Sequence, residues 1–324
     1  MTTTAARFIT LSNALTDSNA WYQKNAAVAW RTMLPALALT GSPDEIITRL
    51  LDFQAKLGAH APWYSMLSMH PRIGLAAMCL SGDALSATRL AAELDRVRGL
   101  FGEVGLKRDH YHVGVMLGLA HILQRTQPLD RHDAQDLKSL YDAVSSAQWW
   151  LTNAQDLPAL MLLHSTDRAP EVLAAEHAAM YQALHSEGRR LGNSLQSASF
   201  TLVALGCSPE LVVGRVNALA KGFTATGLRI LRQDEDELAL LAAREDPVDE
   251  LVQRVLEQRE ALKPLGWSLG RQAAFELAVS LTCIELGSTT AMGRAALAAK
   301  ALGDVYEILS AQLAAAAAGG VAAI

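Results

Sequence analysis

Glycines that close amphipathic stretches recur in this chain at a nearly constant spacing, and a period of that length limits the fold more than any other property of the sequence. Gly188, Gly227 and Gly266 are 39 residues apart in turn, and Gly58 and Gly105 are 47 apart. Gly105 and Gly188 are 83 apart, or two periods of about 41, which predicts a further corner near residue 147. Residues 140–147 suit it, with small side chains in place of a glycine.

Helix start signals precede several of these glycines. Ser42-Pro43-Asp44-Glu45 offers an N-cap serine, a proline at the first helical position and a glutamate three residues past the cap. Ser208-Pro209-Glu210 and Asp246-Pro247 repeat the cap and the proline. Each helix then runs for about four to five turns to Gly58, Gly227 or Gly266, which read as left-handed C-terminal caps. A second helix, richer in alanine and leucine, follows most corners, over 115–123, 157–163, 198–205, 238–243 and 275–284. No stretch alternates β-branched and polar residues, so helical periodicity governs throughout.

The expected fold is all-α: about six antiparallel helix pairs over residues 42–287, in an α/α repeat or solenoid-like array. Residues 1–41 are expected to form N-terminal capping helices, and 288–324 a C-terminal capping helix with a frayed tail. The period does not decide between an open superhelix and a closed barrel of helices, because crossing angles depend on contacts that spacing does not set.

A hydrophobic content of 51% over 324 residues is ample for a buried core. The net charge of -5 and pI near 6.0 give no basic face for nucleic acid. Cys79, Cys207 and Cys283 lie far apart among alanines and leucines, as core fillers rather than metal ligands or disulfide partners. The N-terminus lacks the charged and apolar regions of a secretory signal, and the alanine-rich tail over 311–324 is too weakly apolar to span a membrane. These features point to the cytoplasm.

Catalytic signatures are missing. There is no GxSxG, no Walker loop and no dinucleotide glycine pattern; Gly188-Arg189-Arg190-Leu191-Gly192 lacks the preceding strand and the lysine that a phosphate loop needs. In Asp109-His110-Tyr111-His112, Asp109 reads as the N-cap of a helix and the histidines as corner residues; His110 and His121 would stand about 16 Å apart along a helix, too far to share a metal. His177 falls on an apolar stripe and reads as a core histidine. The run Asp234-Glu235-Asp236-Glu237 resembles an aspartate-rich metal motif, but no second acidic motif answers it, and acids in the first turn of a helix are favoured by its dipole. No metal or cofactor is expected.

The corner over 187–196 carries more polar side chains than a turn requires. Arg189, Arg190, Asn193 and Gln196 are therefore the candidate ligand-binding residues, with Trp63 and Trp149, which follow other corners, as aromatic lining. Asn193 or Ser194 serves equally well as an N-cap. Residues 189–198, followed through Gly227-Leu228 to 238–241, resemble the C-terminal half of a bacterial family filed as domain of unknown function number four thousand and three. The resemblance is clearest over 183–243. It implies a helical fold and brings no activity, substrate or cofactor. The function expected from these features is a non-enzymatic helical-repeat scaffold for a protein, peptide or small-molecule partner. The alternative is an enzyme with a dispersed site at His110 and His112, or at Asp234 and Asp236, with or without a metal.

Overall fold

In the computed structural model, residues 3–18, 26–60, 69–81, 85–107, 109–148, 151–266, 269–287 and 290–321 are described. Among them are fifteen α-helices and no strand, so the chain is all-α as its periodicity requires. Seven helices have one apolar face: α1 (Thr3–Ser18), α3 (Pro43–Gly58), α5 (Ala87–Val104), α7 (Arg131–Ala147), α9 (Pro170–Ser186), α11 (Pro209–Ala225) and α13 (Val248–Ala261). In α7 the buried residues are Ala134, Leu137, Leu140 and Val144, a single stripe at helical spacing. The helices that follow them are α2 (Ala26–Met33), α4 (Met69–Leu80), α6 (His110–Ile122), α8 (Leu157–His164), α10 (Asn193–Ala204), α12 (Glu235–Ala242) and α14 (Arg271–Glu285). These are buried nearly all round, as from Tyr111 to Ala120 in α6 and from Ala273 to Cys283 in α14. The last helix is α15 (Ala291–Val321).

That difference in burial assigns the two sets to an outer and an inner layer. Each inner helix packs against the next, from α2 through α4, α6, α8, α10 and α12 to α14, and the outer helices from α1 to α13 do the same. The layers also close, because α1 packs on α13 and α14. Inside the ring lies α15, against α2, α4, α6 and α8. Small residues permit this crowding: a Cβ on Gly74 would come within 2.7 Å of Leu302 on α15. Among the described residues, α1 thus lies where the layers meet and α15 lies inside the ring.

Local signals operate largely as their chemistry dictates. Ser42 and Glu45 form the capping box of α3, and Asp130 with Asp133 forms another on α7. Gly105 ends α5 in the left-handed conformation at φ 76°. Gly58 does not end α3 that way: it is the last helical residue, and Ala59 follows at φ -67° in ordinary right-handed geometry. The corner near 147 is made by Gln148, at φ -140° and ψ 50°, after α7 ends at Ala147.

Two kinds of polar contact fasten the ring. Arg31 on α2 binds Glu276 on α14, a buried ion pair joining the first inner helix to the last. At the ends of the inner helices, arginines bind terminal carbonyls: Arg168 to Val203 at 3.0 Å, Arg215 to Ala242 at 3.1 Å and Arg244 to Leu286 at 2.9 Å. No helix among the described residues is long and apolar enough to cross a membrane.

Breaking one half of a buried ion pair leaves a charge without compensation, at about 3–5 kcal/mol, whereas replacing both halves by apolar groups is far milder. Arg31→Met should therefore lower the denaturation midpoint sharply, and Arg31→Met with Glu276→Met should restore much of the loss. Urea unfolding followed by circular dichroism measures both.

Candidate functional site

All inner helices run in the same direction, so their N-termini gather at one mouth of the ring. A cavity of ≈ 120 Å³ lies there, between these helix starts and the middle of α15. From α6 it is lined by Tyr111 and His112, from the segment leading into α8 by Asn153, Gln155 and Asp156, and from α10 by Asn193, Ser194 and Ser197. Gln233 and Asp236 line it beside α12, Gln272 and Glu276 on α14, and Lys300, Asp304, Tyr306 and Glu307 on α15. Amides, hydroxyls and carboxylates thus converge from six elements.

Lys300 is the centre of the charged part. Its Nζ lies 2.6 Å from Glu237, 2.8 Å from Asp304 and 3.2 Å from Asp236. Burial alone would lower its pKa, but the carboxylates around it outweigh burial and hold it well above the usual lysine range. Burial also drives Glu237 well above the carboxylate range and Asp304 up to about 7. Glu237, Glu276 and Asp304 offer oxygens within 4.8 Å of one another, a spacing that suits a metal ion. Here the Lys300 ammonium and the Arg31 guanidinium pair with those carboxylates, so the donor set is that of an internal ion-pair cluster.

Two other acids facing the cavity have no such support. Asp156 is 9% exposed, and its carboxylate accepts the Asn153 N–H at 2.7 Å. Burial, with the charge of Glu307 adding to it, pushes Asp156 up to about 7. Glu307 is raised as well, first by burial and then by Asp236. Neither has an ion-pair partner among the described residues. Raising an aspartate from 3.8 to about 7 disfavours its anion by roughly 4 kcal/mol. A helix start returns only about 0.3–1 kcal/mol, so Asp156 holds a proton well into the neutral range.

His112 stands at the cavity wall, 2% exposed. Its Nδ1 lies 2.6 Å from Asp109, whose other oxygen accepts the His112 backbone N–H at 3.0 Å as the N-cap of α6. Burial would raise Asp109, but its bonds to His112 prevail and hold it below the usual range. The His112 Nε2 is a buried nitrogen with no hydrogen-bond partner. The rings of His112 and Tyr306 are 4.4 Å apart.

Of the candidates read from the sequence, Asn193 lines the cavity. Gln196 is buried behind it, donating to Gln148 at 3.1 Å and Thr152 at 3.0 Å. Arg189 bonds Asn217 at 2.8 Å and lies 3.6 Å from Glu235; Arg190 is exposed. Trp63 and Trp149 lie outside the described residues. The N-cap of α10 is Gly192, not Asn193 or Ser194: at φ 151° and with Arg232 laid across it, the position has no room for a side chain.

Two further readings change. His112, at the start of α6, is buried at the cavity rather than exposed or half-buried. The acids from Asp234 to Glu237 do begin a helix, yet Asp234 and Glu237 are fully buried, and Glu237 meets the acidic partners Glu276 and Asp304 that the sequence did not disclose. His177 is a core residue stacked on Phe200 at 4.0 Å, its pKa lowered by burial to about 4.

Residues 101–312 match the family described as "Protein of unknown function (DUF4003)", a span of more than half the chain that includes every cavity residue named above. No curated protein and no solved structure matches the chain.

The pKa of Asp156 has a direct consequence for stability. Because the folded value lies above the unfolded one, its contribution is fully present below about 3.8 and lost as pH rises through about 7. Asp156→Asn keeps the neutral shape at every pH. Its melting temperature should exceed that of the parent by several degrees at pH 8 and by clearly less at pH 5, taking roughly 2–4 °C per kcal/mol. Thermal unfolding at the two pH values measures the difference.

Proposed function

We propose, for this chain, which belongs to that family of proteins of unknown function, that the mouth cavity binds a small polar molecule carrying a basic nitrogen. One observation carries the reading: five carboxylate residues, Asp156, Asp236, Glu276, Asp304 and Glu307, line the cavity against a single lysine. Lys300 and Arg31 serve three of them, which leaves Asp156 and Glu307 as the anchor for an ammonium or guanidinium group. Asn153, Gln155, Asn193, Ser194, Gln233 and Gln272 then meet the remaining donors and acceptors of the ligand. The sequence-based expectation of a non-enzymatic helical scaffold is thereby narrowed to its small-ligand form.

A second reading has its own support in the Asp109–His112 pair. In the tautomer whose Nδ1–H donates to Asp109, Nε2 is left as an acceptor, and Asp156 supplies a carboxylic acid that is protonated near neutrality. A base and an acid at one cavity are the elements of proton-transfer catalysis. If the bound amine is consumed on incubation and His112→Gln stops that without weakening binding, the enzyme reading holds.

Calorimetric titration with putrescine, agmatine and arginine tests the binding reading. Below pH 7 the cation must displace a proton from Asp156, so binding should release protons, strengthen from pH 5.5 to 7 and level off above. Asp156→Asn and Glu307→Gln should each weaken it about tenfold, the value of one charge-assisted hydrogen bond. Uptake of none of the three amines, or binding independent of pH and of both substitutions, would overturn the reading.

A further inference from the structure

The opposite end of the ring, where the inner helices finish, holds a second cavity of different chemistry. Its volume is ≈ 240 Å³, larger than the roughly 150 Å³ apolar cavities that take up benzene. Its wall is almost wholly apolar: Leu34, Leu37, Met78, Ile122, Ile284 and Leu297 line it. These come from the 3-10 turn after α2 and from α4, α6, α14 and α15.

Among the described residues its rim is charged in one sense only. Ala38, Ser81, Ile122 and Arg294 line both this cavity and an adjoining open hollow, to which Arg89, His121 and Arg125 also belong, and among the described residues no carboxylate lines either space. Some of this positive charge is already engaged, since Arg125 binds Asp133 at 2.8 Å and His121 donates to the Ser81 carbonyl at 2.7 Å. Arginines near helix C-termini also serve the helix dipole, as Arg168, Arg215 and Arg244 do through bonds to named carbonyls. Arg89 does not fit that explanation. It is exposed in the first turn of α5, and its guanidinium has no ion-pair partner among the described residues. An apolar chamber opening onto a basic hollow has the two parts that an amphiphile needs.

We infer that this cavity binds a medium-chain amphiphile with an anionic head, its alkyl chain in the chamber and its carboxylate among the arginines of the hollow. The site is independent of the mouth cavity and of any basic ligand there. Each methylene drawn from water into the chamber adds about fourfold to affinity until the chamber is filled. The head adds a charge-assisted bond worth about tenfold.

Calorimetric titration of the full chain with hexanoate, octanoate and decanoate, and with decanol and decyltrimethylammonium, tests both parts. Affinity should rise steeply along the carboxylate series, fall about tenfold for decanol and vanish for the cation. Arg89→Glu, a surface change, should weaken decanoate without altering decanol, and Ala298→Phe, which fills the chamber, should remove binding of both. Absence of decanoate binding to the parent protein overturns the proposal. So does an affinity that ignores chain length, and so does decanol binding as tightly as decanoate. Should Ala298→Phe not fold, the ligand series decides alone, because it needs no variant.

Discussion

Seven inner helices pointing the same way around a closed ring make its two mouths electrically unlike, and much of the polar chemistry of the molecule answers to that. At one mouth the unpaired N–H groups of the helix starts attract acids: Asp109 caps α6, and the run from Asp234 to Glu237 begins α12. At the other, unpaired carbonyls are met by Arg168, Arg215 and Arg244. The two cavities inherit this polarity. One is rich in carboxylates, the other rimmed by arginines, and neither arrangement needs a net charge on the protein much different from neutral.

The ring also had to solve the problem of its own interior. An empty lumen among inner helices would leave their inward faces against water or void, and α15 fills it with alanine and leucine packed on α2, α4, α6 and α8. Where α15 passes the acid-rich mouth it carries Lys300, Asp304 and Glu307 in place of apolar residues. Lys300 is therefore both a packing residue and a counter-charge. A buried cluster of this kind contributes little net stability over an apolar one, but it penalises any register of α15 that separates the lysine from Asp236 and Glu237 on α12.

Helix pairs were legible because their signals are local. A serine and a glutamate three residues apart, or an aspartate before a helix, act within one turn, and Ser42 and Asp109 cap as their neighbours predict. The pairing of Asp109 with His112 could also have been found, since an N-cap side chain and the residue three positions on face one another. Gly58 shows the opposite case, a glycine at the right place whose backbone takes no advantage of being glycine.

Much of the site was beyond local reading. Glu237, Glu276 and Asp304 lie on three helices and become neighbours only when the ring closes and α15 enters it. In sequence each looks like an ordinary polar residue of an amphipathic helix. The acids at 234–237 were placed correctly at a helix start, but whether a helix start faces solvent or a lumen is decided by elements far away in the chain.

The Arg31–Glu276 pair joins residues 245 positions apart, and that separation has a consequence for how the protein comes into being. Helix pairs can form and stack as they leave the ribosome, since each needs only its neighbour. The circle cannot close until its last inner helix has emerged, and its interior cannot be filled until the 31 residues of α15 follow. Until α15 emerges, the apolar faces that later meet it are exposed, and its arrival is what hides them.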